Sequence, residues 1–186
     1  MKIFDLTDHL EEFYPLGSEF KNALQAVMID QKFKKGEVIT SNGVMPGIWF
    51  LRKGLAKGNY FDLNGNEHIT RFWRQDETML LAEANGGTTP AADQIILLED
   101  SLLTTIHERS VTYLFNRFLE AAKLSSKILL NDRNKAEIKS HLCSLPALQA
   151  YQQFCMVFPF QRIMQRDISC YLEISPSWLS DVRKNL

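Results

Sequence analysis

The spacing of apolar positions changes twice along this chain of 186 residues. Over residues 1–30 apolar side chains recur every three or four positions: Ile3, Phe4, Leu6 and Leu10, then Leu16, Phe20, Leu24, Val27 and Met28. That period predicts two helical pieces, parted at Pro15 and Gly17. From Phe33 the apolar runs become short or alternating, at 38–40, 48–51, 55–61, 68–73, 95–98 and 102–106. Glycine-bearing breaks divide them: Lys35-Gly36, Asn42-Gly43, Pro46-Gly47, Lys53-Gly54 and Asn64-Gly65. Asn-Gly favours a tight hairpin, because both residues tolerate a positive φ. Many short strands at regular spacing predict a sandwich or jelly-roll barrel. Residues 76–93 interrupt the pattern with a short helical piece at 78–84 and a Gly-Gly loop.

Beyond residue 106 the period is helical again. Residues 107–113 form a short lead-in, and a long helix runs to about Asn131. Leu114, Phe118, Ala121, Ser125 and Ile128 recur at four, three, four and three residues, a heptad-like seam expected to form a dimer interface. Leu124 and Leu129 widen the face, so that one side can cover the barrel while another meets a second copy. The polar stretch 132–135 marks a boundary, dividing the chain into 1–133 and 134–186. Residues 136–157 give one or two helices broken near Pro146, with Ile138, Leu142, Leu145, Leu148, Tyr151 and Phe154 inward; Pro159 stops them. Residues 165–184 then read as two short helices around a tight turn. Ile168, Leu172, Leu179 and Val182 are apolar at helical spacing, Ile174 plugs the turn, Ser175 offers an N-cap hydroxyl, and Pro176 falls at the first helical position. This is the helix-turn-helix pattern, with no room after the second helix for a β-hairpin wing. The expected fold class is α+β: an N-terminal β-roll with flanking helices, a long dimerisation helix and an all-α C-terminal domain.

Composition adds limits. Apolar residues make up 45% of the chain, enough for one sizeable core or two modest ones. The formal net charge of -1 gives no global field to recruit nucleic acid, so any basic surface must be local. From Asn134 to the end there are six Lys+Arg and four Asp+Glu, a surplus of two. Cys143, Cys155 and Cys170 are scattered without C-x-x-C spacing and read as reduced, buried thiols. An apolar signal core and an eighteen-residue apolar run are both missing, which predicts a cytoplasmic protein without membrane contact.

The order of these features resembles the CRP/FNR family of transcription regulators, and its short cyclic-nucleotide-binding-like members from Bacteroidetes in particular. Four stretches carry the likeness: Lys34-Lys35-Gly36-Glu37-Val38-Ile39, residues 48–54 ending Phe50-Leu51-Arg52-Lys53-Gly54, Asn64-Gly65-Asn66-Glu67-His68, and Tyr171-Leu172-Glu173-Ile174-Ser175-Pro176-Ser177-Trp178-Leu179-Ser180. The resemblance implies a sensor domain, a homodimer and binding to double-stranded DNA. Two places depart from it. Cyclic-nucleotide-binding members hold the phosphate with an arginine, yet none lies between Arg74 and Arg109. Cyclic AMP is therefore expected to bind poorly, leaving a degenerate pocket or one retuned to an unidentified, uncharged effector and lined by Trp73, Thr78, Leu80, Thr88 and Thr89. In the turn, Glu173 stands where the family usually has glycine, at a cost of about 1 kcal/mol if the turn is left-handed. On the second helix Pro176, Ser177 and Asp181 occupy the places of the usual base-reading residues. Asp181 can accept from cytosine N4, Ser177 can meet several base edges, and Trp178 packs on the preceding helix or on the backbone. Gln165, Arg166, Arg183 and Lys184 are candidate phosphate contacts, with Ser175 beside them at the turn. The alternative is a dimeric small-molecule-binding or protein-interaction module that has lost DNA.

Enzyme chemistry finds no support. His9, His68, His107 and His141 form no ligand-spaced pair, and alternation sends Glu67 to the face opposite His68, so no metal is expected. A nucleophile elbow and a phosphate-loop pattern are both missing. No cofactor is expected.

Overall fold

The computed structural model describes residues 4–40, 47–80 and 94–184. Helix α1 (Leu6–Phe13) starts on a reciprocal cap: the Asp5 carboxylate accepts the N–H groups of Thr7 and Asp8, and the Asp8 carboxylate accepts that of Asp5. Helix α2 (Ser18–Val27) follows. Strand β1 (Ile29–Phe33) comes at once, although no alternation announces it; it lies at a sheet edge with most of its residues exposed. Seven more strands follow: β2 (Val38–Thr40), β3 (Ile48–Lys53), β4 (Leu55–Phe61), β5 (Glu67–Arg74), β6 (Glu77–Met79), β7 (Gln94–Leu97) and β8 (Ser101–Ile106). The helical piece expected from residue 78 is corrected: residues 77–79 pair with β3 as a strand, and 81–84 lie outside the described residues.

The strands form two antiparallel four-stranded sheets, in the orders β1-β8-β3-β6 and β2-β7-β4-β5. Between them lie Trp49, Leu51, Ala56, Trp73, Met79, Ile95, Leu97 and Leu103. The β4–β5 hairpin turns on Gly65 at φ +79°, while Asn64 keeps a negative φ, so the expected mirror-image two-residue turn is replaced by a longer loop. The Asp62 carboxylate organises it by accepting the N–H groups of Asn64 and Asn66. At the β3–β4 corner Gly54 sits at φ +130°, and a Cβ there would lie 2.2 Å from the Ser101 hydroxyl.

The single long helix expected to reach about Asn131 is corrected: helix α3 (Glu108–Arg117) ends at one extended residue, Phe118, whose ring packs edge-on to Phe20 at 5.3 Å, and a second helix starts beyond it and outlasts Asn131. Helix α4 (Leu119–Cys143) then runs for 25 residues, straight through the polar stretch 132–135. Helix α5 (Ala147–Val157), a short 3-10 turn (Phe160–Arg162), α6 (Gln165–Leu172) and α7 (Pro176–Lys184) complete the chain. No helix among the described residues is long and apolar enough to cross a membrane.

Two further cores flank the roll. On one side α1–α4 pack on Phe50 and Ile106 of the first sheet. On the other, Leu55, Ile69 and Phe72 of the second sheet pack on Leu142, Tyr151, Phe154, Phe158, Ile163, Ile168, Tyr171, Leu172 and Leu179. The C-terminal helices thus lie directly on the β4–β5 ribbon.

Candidate nucleic-acid interface

Helix α6 buries Ile168, Tyr171 and Leu172 in the shared core, and small, buried Ser169 returns its hydroxyl to the Arg166 carbonyl at 2.9 Å. The helix ends at Glu173, which adopts φ 57°, ψ 34°, and the Ile174 N–H closes back on the Ser169 carbonyl at 3.1 Å. Ser175 caps α7 by accepting the Trp178 N–H at 3.1 Å. The left-handed turn expected of a glycine is therefore made by a glutamate, whose largely exposed carboxylate meets half-buried Lys139 at 3.1 Å, a pair of small worth because water screens the glutamate. Glu173→Gly is expected to stabilise the protein by up to about 1 kcal/mol, seen as a rise of about 2–4 °C in a thermal melt.

Of the candidate DNA contacts, Ser177, Asp181 and Lys184 share one exposed face of α7, at positions i, i+4 and i+7. Asp181 and Lys184 lie 3.7 Å apart on it. Arg183 is exposed beside them, and Arg166 is exposed at the start of α6. Gln165 and Ser175 serve the motif itself: Gln165 Nε2 donates to the Pro176 carbonyl at 3.2 Å, and Ser175 is the cap. Trp178 is half-buried against the shared core.

The five candidate interface positions turn inward. Leu114, Ala121 and Ile128 are buried with α1 and α2, Phe118 packs beside them, and Ser125 is half-buried. The exposed stripe is one residue further on in every case: Phe115, Leu119, Ala122, Ser126 and Leu129, with Leu119 83% exposed.

The candidate effector residues do not share one lining. Trp73 lies between the two sheets. Met79 points into that same space, so alternation along β6 sends Thr78 to the other face, opposite Phe50. Leu80 packs with the helical layer. Thr88 and Thr89 lie outside the described residues. Arg71 is a charged neighbour that sequence reasoning missed. Its guanidinium pairs with Asp132 of α4 and sits 5.6 Å from the centre of the Trp73 ring. Glu77 is likewise engaged. Burial would raise its carboxyl, but the Arg74 N–H, the charge and ammonium of Lys135 and the Arg74 guanidinium hold it below the usual range.

A second charged group also escaped the sequence. Lys57 of β4 is buried, with Nζ 2.8 Å from Glu67 Oε1 and 2.9 Å from Asp167 Oδ1. Burial alone would lower its pKa, but the two carboxylates outweigh it and raise it. Isolated charges far apart in sequence read as solvated faces; only the docking of α6 on β5 brings these three together.

No family model and no curated protein matches the chain. Solved structures do. The chain is similar to FixK2 from Bradyrhizobium japonicum, at 15% identity over 86% of this chain and 84% of that one, with a TM-score of 0.67. It is similar to a regulator assigned to the crp/fnr family from Eubacterium rectale (13% identity, 94% and 87% covered, TM-score 0.64). It is also similar to the c-di-GMP-responsive global regulator CLP from Xanthomonas campestris (11% identity, 91% of each chain, TM-score 0.62). At these identities the likeness is one of fold. The chain has the architecture of CRP/FNR-type transcription regulators over most of its length.

Proposed function

We propose that this protein is a DNA-binding transcription regulator of the CRP/FNR type, close to the short Bacteroidetes members, and that it acts as a homodimer rather than as an enzyme. The observation that carries the reading is the exposed face of α7, with Ser177, Asp181 and Lys184 outward and Arg183 and Arg166 flanking it, on a fold shared with such regulators. Functionally, residues 1–133 are the sensor and dimerisation part and 134–186 the DNA-binding part. The dimer seam is the exposed stripe Leu119, Ala122, Ser126 and Leu129 of α4, with exposed Phe115 near the end of α3, which leaves the inward stripe to its own domain. The effector pocket is degenerate or retuned: Trp73 and Leu80 belong to different cores, and Arg71 is already paired with Asp132.

Fluorescence anisotropy with random and genomic duplexes, at low and moderate salt, tests this. Arg166, Arg183 and Lys184 from two protomers can neutralise about six phosphates, so affinity is expected to fall about a thousandfold between 50 and 200 mM salt. Cyclic AMP is expected to leave the curve unchanged. Leu119→Glu with Leu129→Glu is expected to give a monomer that binds weakly. Asp181 on the outer face of α7 favours one other reading, a dimeric ligand-binding or protein-interaction module, and no binding even at low salt would establish that reading instead.

A further inference from the structure

The C-terminal helices are held on the roll by more than apolar packing. Lys57 is 6% exposed and Asp167 1% exposed, and their ion pair joins β4 to the first turn of α6 across 110 residues of sequence. Glu67 of β5 completes the triad, steadied by the Asn59 amide donating to Oε1 at 2.6 Å. Around it three backbone carbonyls are gripped across the same junction. Cys170 Sγ of α6 donates to the Glu67 carbonyl at 3.1 Å. Lys139 of α4 donates to the Ile69 carbonyl at 2.9 Å. Arg74 of β5 donates to the Val157 carbonyl at 2.6 Å.

Such a triad differs from the apolar contacts beside it. Apolar burial has no direction of its own and fixes a placement only through how side chains interlock. A buried ammonium between two carboxylates fixes one directly: a shift of an ångström or two leaves charge desolvated and unpaired. Asp167 Oδ2 and Asn59 Oδ1 already have no protein partner among the described residues, so the cluster has little slack for further loss. The cluster therefore discriminates one placement of α6 from its neighbours even where it adds little net stability.

We propose that Lys57 is a positioning residue for DNA recognition: through Asp167 it fixes α6 at one place on the β4–β5 ribbon, so that the second sheet itself sets where α7 stands. The proposal rests on the DNA-binding reading above for its consequence, but not for its mechanics. In a dimer, two α7 helices held at a fixed separation lose little freedom on meeting two half-sites. Heads that wander on the sheet lose more, and favour single-site contact.

The deciding variant is K57M/E67Q/D167N in the full chain, which removes all three charges and keeps the volumes. K57M alone leaves two buried carboxylates side by side and is expected to fold poorly. Amide hydrogen exchange of the triple variant is expected to speed up roughly tenfold in α6 and α7 while β3 and β8 keep wild-type protection. Affinity for a duplex selected by the wild-type protein from a random pool is expected to fall roughly tenfold, with affinity for unselected duplex unchanged. Exchange in α6 that stays at wild type, or that rises equally in β3 and β8, overturns the proposal. So does tighter binding to the selected duplex, which would make the triad a restraint. If the wild-type protein selects no duplex, the DNA reading falls, and the exchange measurement still decides whether Lys57 places α6.

Discussion

Phe154→Ala is expected to remove about 3–5 kcal/mol of stability, and to do so in a single transition that takes the β-roll and the C-terminal helices together. Phe154 is fully buried on α5 and touches three other rings: Phe72 of β5 at 5.9 Å, Phe158 at 4.9 Å and Tyr171 of α6 at 5.7 Å. Those rings also touch each other, Phe72 to Tyr171 at 5.0 Å and Phe72 to Phe158 at 5.6 Å. Truncating the central ring leaves a cavity whose walls come from a strand and two helices, and none of them can collapse without dragging the others. A loss of this size is a large share of the total stability of an ordinary domain. The measurement is denaturant unfolding in a Trp178→Phe background, following Trp49 and Trp73 fluorescence for the roll and far-UV circular dichroism for the helices. Coincident midpoints are expected in wild type and variant. Two separated transitions would mean that sheet and helices are independent, and that the shared core contributes only at its surface.

Acid is expected to weaken the opposite side of the molecule. His9 lies among Phe4, Phe13 and Phe50, with ring centres 6.4, 5.1 and 5.1 Å away. Burial, helped by the charge of Lys135 and opposed by Glu77, lowers its pKa from 6.5 to about 4. Glu12 stands 3.6 Å from Nδ1 but is 61% exposed, so water screens it and it does little to hold an imidazolium in place. Between pH 6.5 and 4 the unfolded chain takes up a proton at this histidine that the native chain refuses. Stability from His9 is thus complete above pH 6.5 and drains away as the pH falls to about 4, by up to about 3 kcal/mol. His9→Leu is expected to flatten the slope of unfolding free energy against pH between 6.5 and 4.5. An unchanged slope would place the acid sensitivity in the carboxylates. Glu77 is among them, but its depressed pKa puts its own loss at lower pH.

Much of the architecture could be read from short-range chemistry. The glycine breaks at Gly36, Gly47, Gly54 and Gly65 all carry positive φ, and the Ser175 cap and left-handed Glu173 stand where turn chemistry places them. What escaped was decided by which neighbour each face meets. Strand β1 has no apolar alternation because it is an edge strand; its Asp30 is instead held by the Thr104 hydroxyl and Arg52. The α3–α4 segment carries two apolar stripes one residue apart, Leu114 to Ile128 and Phe115 to Leu129. Periodicity alone does not say which one its own domain claims; packing on α1 and α2 takes the first. The effector residues were joined by the family resemblance, yet the parity of β6 puts Thr78 on the face of the sheet away from Trp73. The Lys57 triad is the extreme case. No local spacing links its members, and the partner of Lys57 on α6 lies 110 residues away.

The outer face of the second sheet also bears on how this protein can be taken apart. Leu55, Ile69 and Phe72 are almost completely covered by the C-terminal helices. A fragment ending inside α4 would turn that face to water beside a lysine stripped of its α6 partner, presenting the kind of apolar strip that drives aggregation. A fragment beginning after α4 would keep Phe154, Phe158 and Tyr171 but lose the strand on which they rest. Whatever division of labour the two ends of the chain have, they share this core, and shortened versions are expected to lose solubility and folding before any question of activity arises.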